Sequence, residues 1–227
     1  MFHPYSIVTG LFEEDLEGHK GPTPLNIMSS EFYDTYPTRD FMRGYAYQVV
    51  RSLAPLATAL SGHVPWVANH HEVFKKRFNR TMTFAVIGED LPEINNKVTI
   101  DPELTDSCGI PSPKIEYKLS ENSRKMLDHG IGTATQVLKT AGALEITHDP
   151  LKRKAGWHLM GTAKMGTNED KSVVNKYGQT HDVDNLFIID GSIFVTAGAV
   201  NPTSTIQALA LYIADHIVSK SGKFLTQ

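Results

Sequence analysis

The chain has 227 residues, 41% of them hydrophobic and 21% charged, with a formal net charge of −3. This is the composition of a globular protein with material for one large domain or two small ones, and it gives no electrostatic case for nucleic acid or an anionic membrane. The lone Cys108 excludes an internal disulfide and a cysteine-built metal cage, and no apolar run approaches the length of about 18 residues that marks a transmembrane helix.

Met1-Phe2-His3-Pro4-Tyr5 lacks the basic and apolar regions of a signal peptide, which gives a cytoplasmic default, or the periplasm if a signal lies upstream. From Glu31 to about Leu60 the chain is rich in aromatic pieces such as Phe41-Met42-Arg43-Gly44-Tyr45. Pro65 then opens a predicted helix on which Val67, His71, Phe74 and Phe78 share a face. Within it, His70-His71-Glu72 invites a metal reading. Adjacent helical residues point about 100° apart, however, and no H-x-x-x-H spacing accompanies them, so no metal is expected.

Thr81 to Ile87 alternates Met82, Phe84 and Val86, as a strand with one buried face does. Lys97–Ile100 and Lys114–Lys118 are two further strand candidates, split by proline-rich and aspartate-rich turns. From about Ser120, Leu127, Ile131, Ala134, Leu138 and Ala141 keep a helical period, with Gly142 as its stop. That helix absorbs Gly130-Ile131-Gly132, a superficial start to a dinucleotide-binding G-x-G-x-x-G whose third glycine position is Thr135. Strands followed by this helix predict an antiparallel sheet with helices on one face. The predicted boundary is the Asp149-Pro150 to Gly156 link.

The C-terminal stretch carries the chemistry. Trp157-His158-Leu159-Met160-Gly161-Thr162-Ala163-Lys164-Met165-Gly166 is followed by Leu186-Phe187-Ile188-Ile189, an apolar run ended by Asp190-Gly191-Ser192. Four apolar residues without alternation predict a strand buried on both faces. Asn201-Pro202 predicts a helix start, with Asn201 as N-cap and Pro202 at the first helical position. Ile206, Ala210, Ile213 and Ile217 give that helix one apolar face, ending near Lys220 and Gly222.

Taken together, His158 to Gly166, Val183-Asp184-Asn185-Leu186 through Ser192, Asn201-Pro202-Thr203-Ser204-Thr205 and Ala214-Asp215-His216-Ile217 resemble the C-terminal signature of the glucose–methanol–choline (GMC) oxidoreductases. The look is that of the bacterial gluconate, sorbitol and polyol dehydrogenase branch. The resemblance implies an α/β (α+β) chain. Residues 1–150 would form the substrate-binding domain, with 1–20 passing out of a flavin domain, and 151–227 would complete that FAD domain. Its Gly-rich N-terminal half is not in this sequence and is the first implied partner. Phe2-His3-Pro4-Tyr5 and Gly10 to Gly21 resemble the family's passage between the two domains.

The resemblance implies FAD as cofactor and hydride transfer from an alcohol carbon to flavin N5. The matching family histidine, here His158, takes the hydroxyl proton, and imidazole suits that role near neutral pH. Asn201 stands where the family places Asn or His against the substrate oxygen. Pro202 and Thr203 would border the flavin's N1–C2=O edge, at a helix N-terminus that favours its negative charge. Asp190 and Gly191 match the strand end near the ribityl–pyrophosphate part. From the residues alone, His158 also reads as a packed histidine, Asn201 as a plain N-cap and Asp190-Gly191 as a turn.

The implied substrate is a sugar, polyol or related alcohol, and oxygen, a quinone or a cytochrome is an acceptor that the resemblance allows. Two other classes compete. One is a non-catalytic remnant serving as an interaction module. The other is a histidine-dependent hydrolase, for which no G-x-S-x-G turn is found.

Overall fold

The computed structural model describes residues 1–20, 25–152 and 158–224; Trp157, the Gly156 end of the predicted link and Gly21 lie outside them. In chain order the elements are β1 (Tyr5–Leu11), β2 (Leu25–Ser29), β3 (Tyr45–Arg51), α1 (Pro55–Ala59), α2 (His70–Arg77), β4 (Thr81–Gly88), β5 (Lys97–Thr105), β6 (Pro111–Glu116), α3 (Glu121–Thr140), β7 (Glu145–Asp149) and α4 (Thr203–Phe224). The chain is of the mixed α/β (α+β) class. It divides into two compact units, each built from separated stretches: Pro4–Gly88 with Glu121–Ala155, and Met1–His3 with Glu89–Ser120 and Gly156–Gln227.

The first unit is an antiparallel sheet in the order β2-β3-β4-β1-β7. β4 lies between β3 and β1, with Val8 opposite Phe84 and Val49 on the other side. Both of its edges are therefore paired. Its more buried face carries Thr81, Thr83, Ala85 and Ile87, with Val86 buried on the other. The buried face predicted from Met82, Phe84 and Val86 is corrected, since Met82 and Phe84 are only partly buried.

α3 covers one face, contacting β1, β4 and β7. Its buried residues, Met126, Leu127, Gly130, Ala134 and Leu138, follow the predicted period. Gly142, at φ +90°, ends the helix with its N–H donating to the Lys139 carbonyl. Gly130 permits the close approach: a Cβ there would stand 2.5 Å from Val86 Cγ1. This is the structural use of the glycine pair that mimics a dinucleotide loop. On the sheet's other side, Thr9 and Thr81 share a small cavity with Thr58, His63 and Arg77.

α2 is shorter than its sequence pattern predicts. Of the predicted face, Val67 and His71 are exposed, whereas Phe74 and Phe78 are partly buried together with Val73, the Phe74 and Phe78 rings being stacked at 5.4 Å. His70 donates from Nδ1 to the Pro65 carbonyl and stacks on Trp66.

The second unit contains the β5–β6 ribbon, with Val98 opposite Ile115, which is separate from the five-stranded sheet that the sequence pattern joins it to. The rest is α4 packed on turns between residues 158 and 200. Met160, Val174, Ile193, Phe194, Ala197 and Ile213 form the core, with Ile206, Leu209 and Ile217 of α4 against it. The predicted face of α4 is thus the one it buries.

The predicted buried strand at Leu186–Ile189 is not one. Leu186 and Ile189 are about half exposed, and among the described residues the run is tied by one β-bridge, Gln179 to Phe187. A strand buried on both faces needs neighbours on both sides, and the described residues supply a single point of pairing.

Candidate active site

Three short backbone pairings place the histidine segment on the turn before α4. Gly161, Ala163 and Met165 donate their N–H groups to the carbonyls of Gly191, Ser192 and Ile193, at 3.1, 2.8 and 2.8 Å. Gly161 sits at φ +81°, and a Cβ there would come within 2.5 Å of Met1 Cε, so this crossing needs glycine. On the opposite edge Met160 N–H donates to the Met1 carbonyl and the Met1 nitrogen to the Met160 carbonyl, both at 3.0 Å. Residues 1–3 are thereby fixed beside 158–160.

His158 has φ +59°. A non-glycine residue in the left-handed region costs roughly 1–2 kcal/mol, and such strain persists where the surroundings dictate it. Here the pairings on either side of Met160 dictate it. The ring is half-buried, with His3 and Asn201 beside it. His158 Nδ1 lies 2.8 Å from His3 Nδ1, and His158 Nε2 lies 3.5 Å from Asn201 Nδ2. Burial holds the His158 pKa below the ordinary histidine value, so the ring is neutral and able to accept a proton at neutral pH.

Asn201 stands just before α4. Pro202, whose carbonyl accepts from Ile206 N–H at 2.9 Å, holds the N-cap position, so the helix starts one residue later than its sequence pattern predicts. Pro202 is buried, whereas Asn201, Thr203, Ser204 and Thr205 are exposed around the helix's N-terminal end. The first-turn N–H groups of a 22-residue helix therefore open beside the His158–Asn201 pair.

Asp190 serves a local turn. Its Oδ1 accepts from Ser192 N–H at 2.8 Å and starts the 3₁₀ turn Gly191–Ile193. Hydrogen bonds from Ser192 hold its carboxyl below the usual range. Gly191 is buried between the histidine segment and α4: a Cβ there would be 3.2 Å from the Leu159 carbonyl and 3.4 Å from Ile206 Cδ1. The structure thus brings His158, Gly191, Asn201, Pro202 and Thr203 to one place, with Asp190 at its edge.

His3 is the residue at this place that sequence reasoning misses. It is almost fully buried, at 1% exposure, and its ring meets His158 edge-on with centroids 4.9 Å apart. Burial, and then the neighbouring His158, lower its pKa to about 4. No spacing links residues 155 positions apart, so no pattern in the sequence could have found the pair.

A groove of about 730 Å³ lies nearby in the same unit, lined in part by Met1, Ile94, Lys97, Gly161, Lys164 and Phe194. His158 and Asn201 do not line it.

Comparison with known proteins identifies the family. The sequence model of the GMC oxidoreductase family matches residues 92–210, more than half of the chain. The chain is 40% identical over 218 residues to 2-methyl-1,2-propanediol dehydrogenase of Mycolicibacterium austroafricanum, covering 93% of this chain and 39% of that protein. It is 34% identical over 131 residues to the fructose dehydrogenase large subunit of Gluconobacter japonicus, covering 58% and 24%.

Among solved structures, pyridoxine 4-oxidase from Mesorbium loti has a TM-score of 0.60 at 16% identity, covering 95% of this chain and 42% of that one. A formate oxidase variant of Aspergillus oryzae RIB40 studied for FAD modification has a TM-score of 0.65 at 15% identity, covering 99% and 47%. At these identities the likeness is one of fold. The chain spans less than half the length of each of these relatives.

Proposed function

Because the chain belongs to the GMC oxidoreductase family, we propose that it is the histidine-bearing part of an FAD-dependent oxidoreductase acting on CH–OH groups of a polyol, sugar or related alcohol. Members of the family are FAD-dependent flavoproteins, among them dehydrogenases and oxidases of alcohols and sugars. The observation that carries the reading is the His158–Asn201 pair at the open N-terminus of α4.

The residues fit a flavin on that side. A Cβ at Gly191 would crowd the Leu159 carbonyl at 3.2 Å, Asn201 and Thr203 are exposed, and the helix end favours negative charge. Asn201, Pro202 and Thr203 would border the isoalloxazine edge, and Asp190 and Gly191 the ribityl side. Bound there, the flavin supplies a hydride acceptor.

The remaining work falls to this chain. His158 Nε2 takes the substrate hydroxyl proton, which raises electron density on the alcohol carbon and eases loss of its hydride. Asn201 donates from Nδ2 to the same oxygen and fixes the alcohol's orientation. The N-terminus of α4 stabilises the anionic charge that builds as the reaction proceeds. A neutral His158 is needed, and its lowered pKa keeps the ring neutral over the physiological range.

The other half of the site, the dinucleotide-binding part, is the proposed structural partner. Leu211 and Val218, seven residues apart on one side of α4, are 73% and 74% exposed, away from the helix's own core. Such exposed apolar side chains are suited to being covered by protein. The acceptor that reoxidises the flavin is proposed to be a separate partner, a quinone or a cytochrome.

The test is anaerobic titration of FAD-loaded protein carrying this chain with 1,2-diols, polyols and sugars. The reading predicts bleaching of the flavin by at least one CH–OH donor. An oxidised flavin across the whole panel would refute it.

A further inference from the structure

His3 and His158 approach through like atoms, Nδ1 to Nδ1, at 2.8 Å. A hydrogen bond at that distance requires one nitrogen to carry a proton and the other a lone pair. Which way round it runs decides what His158 can do, because a neutral imidazole carries one proton. If Nδ1 of His158 donates, its Nε2 keeps the lone pair; if it accepts, Nε2 is protonated and cannot act as a base.

The contact with Asn201 sets the direction. At the far side of His158, Asn201 presents its amide nitrogen Nδ2, a donor, to Nε2. That contact needs a lone pair on Nε2. With His158 donating from Nδ1, His3 Nδ1 is the acceptor, and the one proton of a neutral His3 sits on its buried Nε2, which has no hydrogen-bond partner among the described residues.

We propose that His3 is a positioning residue: its Nδ1 accepts the Nδ1–H of His158 and so holds His158 in the tautomer whose lone pair, on Nε2, faces Asn201. This rests on the reading of His158 as the base and deepens it, by naming the residue that prepares the base. Burial of His3 serves the same end. A histidine that stays neutral down to about pH 4 remains an acceptor throughout the range in which the base must work. The pairing of Met1 with Met160 supplies the rigidity, since it fixes residues 1–3 against the segment His3 must serve.

The test is nitrogen NMR of the full chain labelled with ¹⁵N-histidine, in solution or as a solid, which reads the tautomer of His158 directly and needs no flavin. In the unsubstituted chain His158 is expected to be protonated at Nδ1. His3→Leu, which fills the space without an acceptor, should abolish that preference, and protonation at Nε2 should become the larger population. His3→Asn, whose side-chain oxygen can stand where Nδ1 stood, should restore it. Protonation of His158 at Nε2 in the unsubstituted chain would overturn the proposal. So would an unchanged tautomer in a folded His3→Leu chain. Should His3→Leu not fold, the unsubstituted chain and His3→Asn decide, because both must show Nδ1–H. A flavin-loaded His158→Ala protein that oxidises alcohols normally would instead refute the base assignment and leave the tautomer result standing.

Discussion

Gly130 and Val86 are in such close contact that a single methyl group on the glycine would fall 2.5 Å from Val86 Cγ1. Two residues along the same helix, Gly132 faces open space, with nothing within 4 Å of where a Cβ would stand. The two glycines of one Gly-x-Gly therefore make opposite predictions. Gly132→Ala should stabilise the protein by up to about 1 kcal/mol, since alanine is the better helix former. Gly130→Ala should destabilise it by about 1–3 kcal/mol, because overpacking against β4 outweighs that gain. Urea unfolding midpoints of the two variants check both signs.

Acid should destabilise the fold through His3. Its pKa is about 4 in the folded protein against an ordinary 6.5, so between these values the unfolded chain binds more protons than the folded one. Stability therefore falls as pH drops from about 6.5 towards 4 and, as far as this group is concerned, levels off below. The span is worth about 3 kcal/mol. His63, His129 and His158, also lowered chiefly by burial, contribute in the same direction. The difference between the unsubstituted and His3→Leu stability curves, measured against pH by denaturant unfolding, isolates the His3 share. Their difference should shift by about 3 kcal/mol against the unsubstituted protein as pH falls from about 6.5 to about 4.

What the sequence disclosed follows from the range of the forces involved. α3 and the buried face of α4 were legible because helical periodicity is local: Leu127, Ala134 and Leu138, or Ile206, Ile213 and Ile217, mark one side without reference to the rest of the chain. β1 and β7 were not. They pair Val8 with His148, and their short segments carry no alternation strong enough to reveal partners so distant. Leu186–Ile189 misled for the converse reason, since an apolar run reports what the residues would tolerate, not whether strands stand beside them. At the candidate site, linked motifs named His158, Gly191 and Asn201, which the fold brings near one another. His3 was quoted within a motif, but its chemistry comes from a contact only the fold creates.

Asn201→Ala should weaken the chemistry less than loss of the histidine, because it removes an orienting donor and leaves the base in place. Since Pro202 holds the N-cap position, the substitution should also leave α4 intact, changing stability by less than the roughly 1 kcal/mol that loss of a capping side chain typically costs. Thermal unfolding together with single-turnover flavin reduction separates the two effects.

The 227-residue chain by itself should purify without colour. Its proposed flavin contacts, Asp190, Gly191 and Asn201 to Thr203, reach one side of the cofactor, and its Gly130-Ile131-Gly132 is part of α3 and not a phosphate-binding turn. Absorbance after gel filtration in the presence of FAD checks this. Stoichiometric yellow protein would show that these contacts suffice.

The most direct measurement is single-turnover reduction of the bound flavin by an alcohol substrate, in FAD-loaded protein carrying this chain, with His158→Ala beside the unsubstituted form. Reduction reports the chemical step and ignores whichever acceptor reoxidises the cofactor. Removal of a general base typically slows a reaction about 10²–10⁴-fold, equivalent to roughly 3–5 kcal/mol of barrier. The account predicts a fall of that size with flavin content and thermal stability retained. Reduction of the His158→Ala protein at the unsubstituted rate would contradict it, and would leave His158 as a strained histidine packed between His3 and Asn201.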